Sequence, residues 1–181
     1  MTTIDLLYKQ TEDAYQWTNT LLHSIPYDKW DEVPPVVESS VTWQTGHLIM
    51  SFYYHSIMAV TGHRKDILAQ IPIKEYDAYF THASPRVSIG MTDPEKLLQQ
   101  LFVMEQKSLE IIGALSSDDL DKALEPVAAN HPIAQTKFEA LDWNIKHTMW
   151  HNGQLGLLRR IVYERFEFDL PVREKAPDRR L

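Results

Sequence analysis

Four stretches of this chain repeat apolar side chains at intervals of three and four residues. No stretch alternates β-branched and polar residues convincingly between turns. That combination predicts an all-α fold. The first stripe, Ile4, Leu7, Tyr8, Thr11, Tyr15, Thr18, Leu22 and Ile25, closes at Pro26 and predicts a helix over 3–24. The second follows Pro34 and Pro35 and takes Ser39 or Ser40 as its cap. It turns Trp43, His47, Met50, Ser51, Tyr54, Ile57 and Met58 inward and stops at Thr61 and Gly62. Residues 63–92 hold Pro72, Pro85 and Gly90, support only short helices, and read as a long crossover. Thr92 or Asp93 then caps a third helix over 94–115, with Pro94 at its first position and a seam through Leu97, Leu101, Met104, Ser108, Ile111 and Leu115. After a connection over 116–134, residues 135–166 contain no Pro and form the fourth and longest helix. Four long helices joined partly by long connections imply a four-helix bundle with crossover connections.

With 181 residues the chain can bury roughly 70% of its unfolded surface, which suits one domain over 1–168. The tail over 169–181, rich in charge and Pro, is expected to leave the bundle. Eighteen Lys and Arg against 25 Asp and Glu leave a net charge of −7, which repels phosphate backbones and anionic lipid heads. Neither a nucleic acid nor a membrane is expected as partner, and no run approaches the roughly 18–20 apolar residues of a membrane span. The chain has no cysteine, so disulfides, thiolate metal sites and a cysteine nucleophile are excluded. A cytoplasmic setting is the expectation, since no signal-peptide pattern opens the sequence.

His147 and His151 are four residues apart, so on a helix their imidazoles differ by about 40° of rotation and about 6 Å of rise and can face one point. Ala140, Trp143, Gln154 and Leu158 share their stripe, which points it inward. With His47 on the inner stripe of the second helix, three nitrogen donors are available. Three imidazoles plus an open position make a reactive divalent-metal site, and three hydrogen-bonded core histidines meet the same spacing. The zinc-protease pattern H-E-x-x-H is missing, because this helix reads H-T-M-W-H. His55, eight residues after His47 and about 80° round a regular helix, is expected as a flanking or supporting group rather than a fourth ligand. His23, His63, His82 and His131 fall at helix ends or in loops, where solvated or capping roles are expected. Gln154 either orients a ligand or makes an inter-helix hydrogen bond; Tyr54 either presents its phenol to the pocket or packs. The apolar side chains of the fourth helix, among them Trp143, Met149, Trp150, Leu155, Leu157 and Leu158, exceed one narrow stripe, so that helix is either central or buried partly against a second copy.

The segment Trp43-Gln44-Thr45-Gly46-His47-Leu48, followed about a hundred residues later by His147-Thr148-Met149-Trp150-His151-Asn152-Gly153-Gln154, resembles the DinB-like (DinB/YfiT-like) superfamily of metalloenzymes. The resemblance spans nearly the whole chain. It implies a four-helix bundle, often a homodimer, that binds one divalent ion such as zinc or nickel through His47, His147 and His151. It further implies a small-molecule substrate and a choice of activities. One is a thiol-dependent S-transferase that uses a low-molecular-weight thiol, such as bacillithiol, mycothiol or glutathione, against an electrophile. The others are a hydrolase that activates water at the ion, and a metal-binding dimer without turnover.

Overall fold

The computed structural model describes residues 1–168; the expected tail over 169–181 lies outside the described residues. Four long helices dominate it: α1 (Thr3–His23), α2 (Val41–Phe52), α3 (Pro94–Ala114) and α4 (Lys137–Val162). No β-strand forms among the described residues, where Ala123 and Thr136 make an isolated bridge. The helix starts follow local chemistry. Thr2 and Asp5 satisfy each other's backbone N–H in a capping box on α1, Ser40 Oγ accepts from Trp43 N, and Asp93 Oδ1 accepts from Lys96 N. Thr136 and Glu139 form a second capping box, which moves the start of α4 two residues past the predicted 135. The helix also ends at Val162 rather than at 166. There the Arg159 guanidinium donates to Ser24 Oγ and to the Glu164 carbonyl, so a tertiary contact turns the chain where no Gly or Pro marks a stop.

Helix α1 packs between α3 and α4, and α2 packs between the same two from the other side. The pairs α1/α2 and α3/α4 therefore face each other across the diagonals, and a diagonal step needs the long connections seen at 24–40 and 115–136. Residues 63–92 hold only the short helices Lys65–Leu68 and Ile73–Asp77, a π-helical turn Ala78–His82 and a 3₁₀ turn Pro85–Ser88, as expected. They are more than a crossover, because Phe80 and Tyr76 are fully buried against α2. Helix α2 itself is buried nearly all round, not along one stripe: Val41, Thr45, Leu48, Ile49 and Phe52 are buried, as are Met50, Ser51, Ile57 and Met58 of the predicted stripe, while Trp43, His47 and Tyr54 of that stripe are partly buried. Beyond Phe52 the same rod continues as a π-helical segment, Tyr53–Met58, and a last turn, Ala59–Thr61, that stops at Gly62 with φ 77°.

The core contains a polar seam. The Tyr15 ring packs 4.4 Å from that of Phe52 of α2, its hydroxyl lies 2.8 Å from Ser108 Oγ of α3, and Asn144 Nδ2 of α4 donates to it at 3.0 Å. One side chain thereby ties all four helices. Nearby on α3, Glu105 is buried and, among the described residues, has a single partner, Asn19 Nδ2 at 2.8 Å on Oε2, while Oε1 has none. Burial pushes the Glu105 carboxyl up to about 7, against the opposing hydrogen bond from Asn19.

The folded chain therefore holds a proton on Glu105 that the unfolded chain releases near 4.5. The stability tied to that proton is fully present below pH 4.5 and is lost as the pH rises through 7. Glu105→Gln is expected to leave stability near pH 4.5 almost unchanged and to raise it at pH 8, by up to about 3 kcal/mol. Urea unfolding at the two pH values checks this; equal effects at both would contradict it.

Candidate metal centre

The neighbouring helices α2 and α4 bring together three imidazoles predicted from the sequence. His47, His147 and His151 each offer a ring nitrogen, and the three nitrogens lie within 4.8 Å of one another. Their ring centroids are 4.6–5.4 Å apart. His147 Nε2 and His151 Nε2 are 3.2 Å apart.

Each ring is held from behind. His47 Nδ1 donates to the Phe80 carbonyl at 2.6 Å, which leaves its Nε2 lone pair free. Gly46 makes that bond possible: a Cβ there would sit 2.4 Å from the Phe80 ring, so only glycine lets residues 78–82 lie this close to α2. His151 Nδ1 donates to Gln44 Oε1, and both donors of the Gln44 amide are used, at 2.8 Å each, on Ser39 Oγ and Gln154 Oε1. The amide is thus fixed in orientation, and His151 is fixed as the Nδ1–H tautomer with Nε2 free. His147 Nδ1 lies 2.6 Å from Ser51 Oγ, which can accept its proton in the same way. Trp43 stacks on His47 and Trp143 on His147, limiting rotation of both rings.

These residues fit a metal ion. Two nitrogens at about 2.0–2.1 Å from one tetrahedral ion are about 3.3 Å apart, which matches the His147–His151 separation. Each ring has a second partner that can fix the tautomer leaving Nε2 as ligand. Two lone pairs at 3.2 Å repel unless a cation or a proton lies between them. The electrostatics agree. Burial holds His47 below the usual imidazole range, against the Phe80 bond. Burial, then His47, brings His147 down to about 4; burial, then His47 and His147, brings His151 down to about 2. Rings that stay neutral are the form that binds metal.

Beside the triad opens a cavity of about 580 Å³, lined by His47, His147, Met50, Ser51, Tyr53, Tyr54, His55 and Met58 of these helices and by Leu68, Ile73, Lys74 and Asp77 of the crossover. His55 is not where a regular helix would put it. The wider π turn over Tyr53–Met58 advances each residue by a smaller angle, so His55 falls short of the about 80° offset from His47 and its ring stands 5.5 Å from that of His147. It stands outside the group of three nitrogens, and it is buried. His131, expected in a solvated or capping role, accepts the Ile133 and Ala134 amides on Nδ1 but is buried, with Nε2 2.7 Å from His55 Nδ1. His23 and His82 are exposed, and His63 pairs with the Tyr53 hydroxyl at 3.0 Å on the cavity wall. Gln154 makes the inter-helix bond and, through Gln44, orients His151. Tyr54 packs flat on His131 and lines the cavity. No role in holding the imidazoles was read from the sequence for Gln44, Ser51 or Phe80. Gln44 follows Trp43 with the ordinary look of a helix-surface amide, and Phe80 acts through its backbone, which no side-chain pattern reveals.

A four-helix bundle with three histidines converging from its second and last helices makes this a helical protein with a candidate metal site. The chain belongs to the DinB superfamily, whose family model matches residues 10–155. No curated protein matches the chain in sequence. Among solved structures, the crystal structure of a conserved protein from Enterococcus faecalis superposes with a TM-score of 0.68 at 16% identity, covering 90% of this chain and 98% of that one, a likeness of fold.

Because Gln44 orients His151 and has no contact with the open side of the triad, Gln44→Leu is expected to leave the helical content intact and weaken nickel or zinc binding by roughly 10–100-fold. Competition against a chromophoric chelator measures it. Unchanged affinity would show that the amide does not hold the ligand.

Proposed function

We propose that the protein is a metal-dependent enzyme in which His47, His147 and His151 hold one divalent ion, zinc or nickel, and which transfers a low-molecular-weight thiol to a small electrophile. The observation that carries this reading is the convergence of three neutral imidazoles, each held from behind by a named hydrogen-bond partner, with His47 and His147 lining a cavity large enough for a small molecule. A bound ion with an open position would supply positive charge that lowers the pKa of a thiol, a group the chain itself lacks.

The protein's own residues prepare that step. The Phe80 carbonyl, Ser51 and Gln44 keep the three rings in ligand tautomers, and Met50, Met58 and Ile73 give the cavity an apolar wall that reduces water around the reacting groups. The cavity's one carboxylate among the described residues, Asp77, is about half exposed, lies 3.5 Å from His82, and is not part of the three-nitrogen group. With no carboxylate beside the triad to act as general base, a nucleophile that arrives as an ionisable thiol suits the site better than water, and hydrolysis of small esters or amides is the second reading. The cytoplasm, where such thiols stay reduced, is the matching compartment.

Elemental analysis of tag-free protein is expected to give about one metal per chain in the parent and little in His47→Ala and His147→Ala; equal metal in all three would end the reading. Turnover in a screen of electrophiles with bacillithiol, glutathione or coenzyme A is expected to need both thiol and metal and to be absent in His151→Ala. Thiol-independent hydrolysis would select the second reading, and no turnover in either screen would leave a metal-binding protein.

A second copy of the chain is part of the same proposal. Leu155 and Leu158 of α4 are buried in the bundle, whereas Met149, Trp150 and Leu157 remain on the surface, with Trp150 62% exposed. An apolar face of this kind suits a self-complementary interface. Light scattering is expected to give a dimer for the parent and a monomer for Trp150→Glu; a monomeric parent would overturn it.

A further inference from the structure

The cavity wall beside the triad carries a second histidine pair whose proton positions are dictated by the backbone. The amides of Ile133 and Ala134 donate to His131 Nδ1 at 3.2 and 2.9 Å, so that nitrogen bears a lone pair and the proton sits on Nε2. His131 Nε2–H then donates to His55 Nδ1 at 2.7 Å, which in turn places the His55 proton on Nε2. Both rings are clamped. Tyr54 lies parallel to His131 at 5.3 Å and edge-on to His55 at 5.2 Å. His55 Nε2–H has no partner among the described residues and is not sealed from solvent, and His55 lines the cavity next to His147.

An N–H held in one tautomer by two further hydrogen bonds, open to the cavity and with no acceptor among the described residues, is a donor already oriented for whatever occupies that cavity. We propose that His55 is a ligand-binding residue whose Nε2–H donates to an oxygen acceptor, carbonyl or carboxylate, of the small molecule that occupies the cavity, with His131 as the positioning residue that keeps that proton in place. The rest of the cavity fits such a molecule. Met50, Met58 and Ile73 offer an apolar wall, so the ligand class is a compact apolar body bearing one oxygen acceptor at the end nearest the triad. The inference deepens the enzymatic reading and rests on it for the role of the cavity, but the hydrogen bond itself requires neither metal nor turnover.

Benzoate, a flat apolar ring with one carboxylate, is the probe. In the metal-free, nitrogen-15-labelled full chain, two-bond nitrogen–proton spectra are expected to show His55 and His131 both protonated at Nε2, and benzoate is expected to shift the His55 Nε2 signal. His55→Leu is expected to weaken benzoate binding roughly tenfold, the usual effect of removing a hydrogen bond to a charged group. His131→Phe keeps a ring for Tyr54 to stack on and removes the relay; it is expected to turn His55 into a mixture of tautomers and to weaken benzoate several-fold. A role confined to packing would leave that tautomer signature unmoved. Protonation of His55 at Nδ1 in the parent, no benzoate binding by the parent, or equal binding by parent and variants would each overturn the proposal. Since the parent's spectrum needs no variant, a failure of His55→Leu to fold leaves that decision in place. Because the measurement uses no metal, loss of the metal-site reading and loss of this one are separately visible.

Discussion

The site depends on hydrogen bonds made behind the imidazoles, not in front of them. A histidine can ligate through a given nitrogen only if the other nitrogen keeps the proton, and burial by itself says nothing about which one does. Here the Phe80 carbonyl and the Gln44 amide oxygen accept from Nδ1 of His47 and His151, and Ser51 is placed to do so for His147. Remove those acceptors and the same three rings become an ordinary buried cluster whose nitrogens satisfy one another.

These acceptors come from places that the bundle must bring together. Gln44 is one turn before His47 on α2, yet its amide serves a ring on α4 and is steered by Gln154 of that helix and by Ser39 before its own. Phe80 belongs to the crossover, and its approach to α2 is permitted by the missing side chain at Gly46. The crossover therefore acts as part of the site, while the α1–α3 side of the bundle, with Tyr15 at its centre, keeps the scaffold in register. The π-helical segment after Phe52 adds the last element by swinging His55 toward the triad.

Much of the architecture was legible in the residues. The ends of α1 and α3, the cap at Ser40, the stop at Gly62 and the broken character of 63–92 all follow from local rules about capping, proline and glycine, and those rules act within a few residues. The spacing of His147 and His151 on one helix was equally readable, and His47 fell on a stripe that could meet them. The start of α4 at Lys137 lies two residues past the expected one, although Thr136 and Glu139 have the spacing of a capping box that marks it. Its end at Val162 was not readable, because an arginine reaching Ser24 of α1 decides it. Helix α2 also misled: its inward stripe was drawn through Trp43 and Tyr54, whereas the helix is enclosed nearly all round, and a helix buried on every side has no periodicity to read.

What the sequence by itself determined is the set of helices, their approximate limits and the pairing of His147 with His151 on one helix face, because helix formation and side-chain spacing are local matters of a few turns; that His47 meets that pair is a result of packing. What only the tertiary structure decided is which nitrogen of each ring is free, which groups support it and where the cavity lies. Those outcomes turn on contacts between residues 33–110 positions apart, His47 with Phe80 and Gln44 with Gln154 among them. Such contacts exist only once the helices have packed, and no local pattern encodes them.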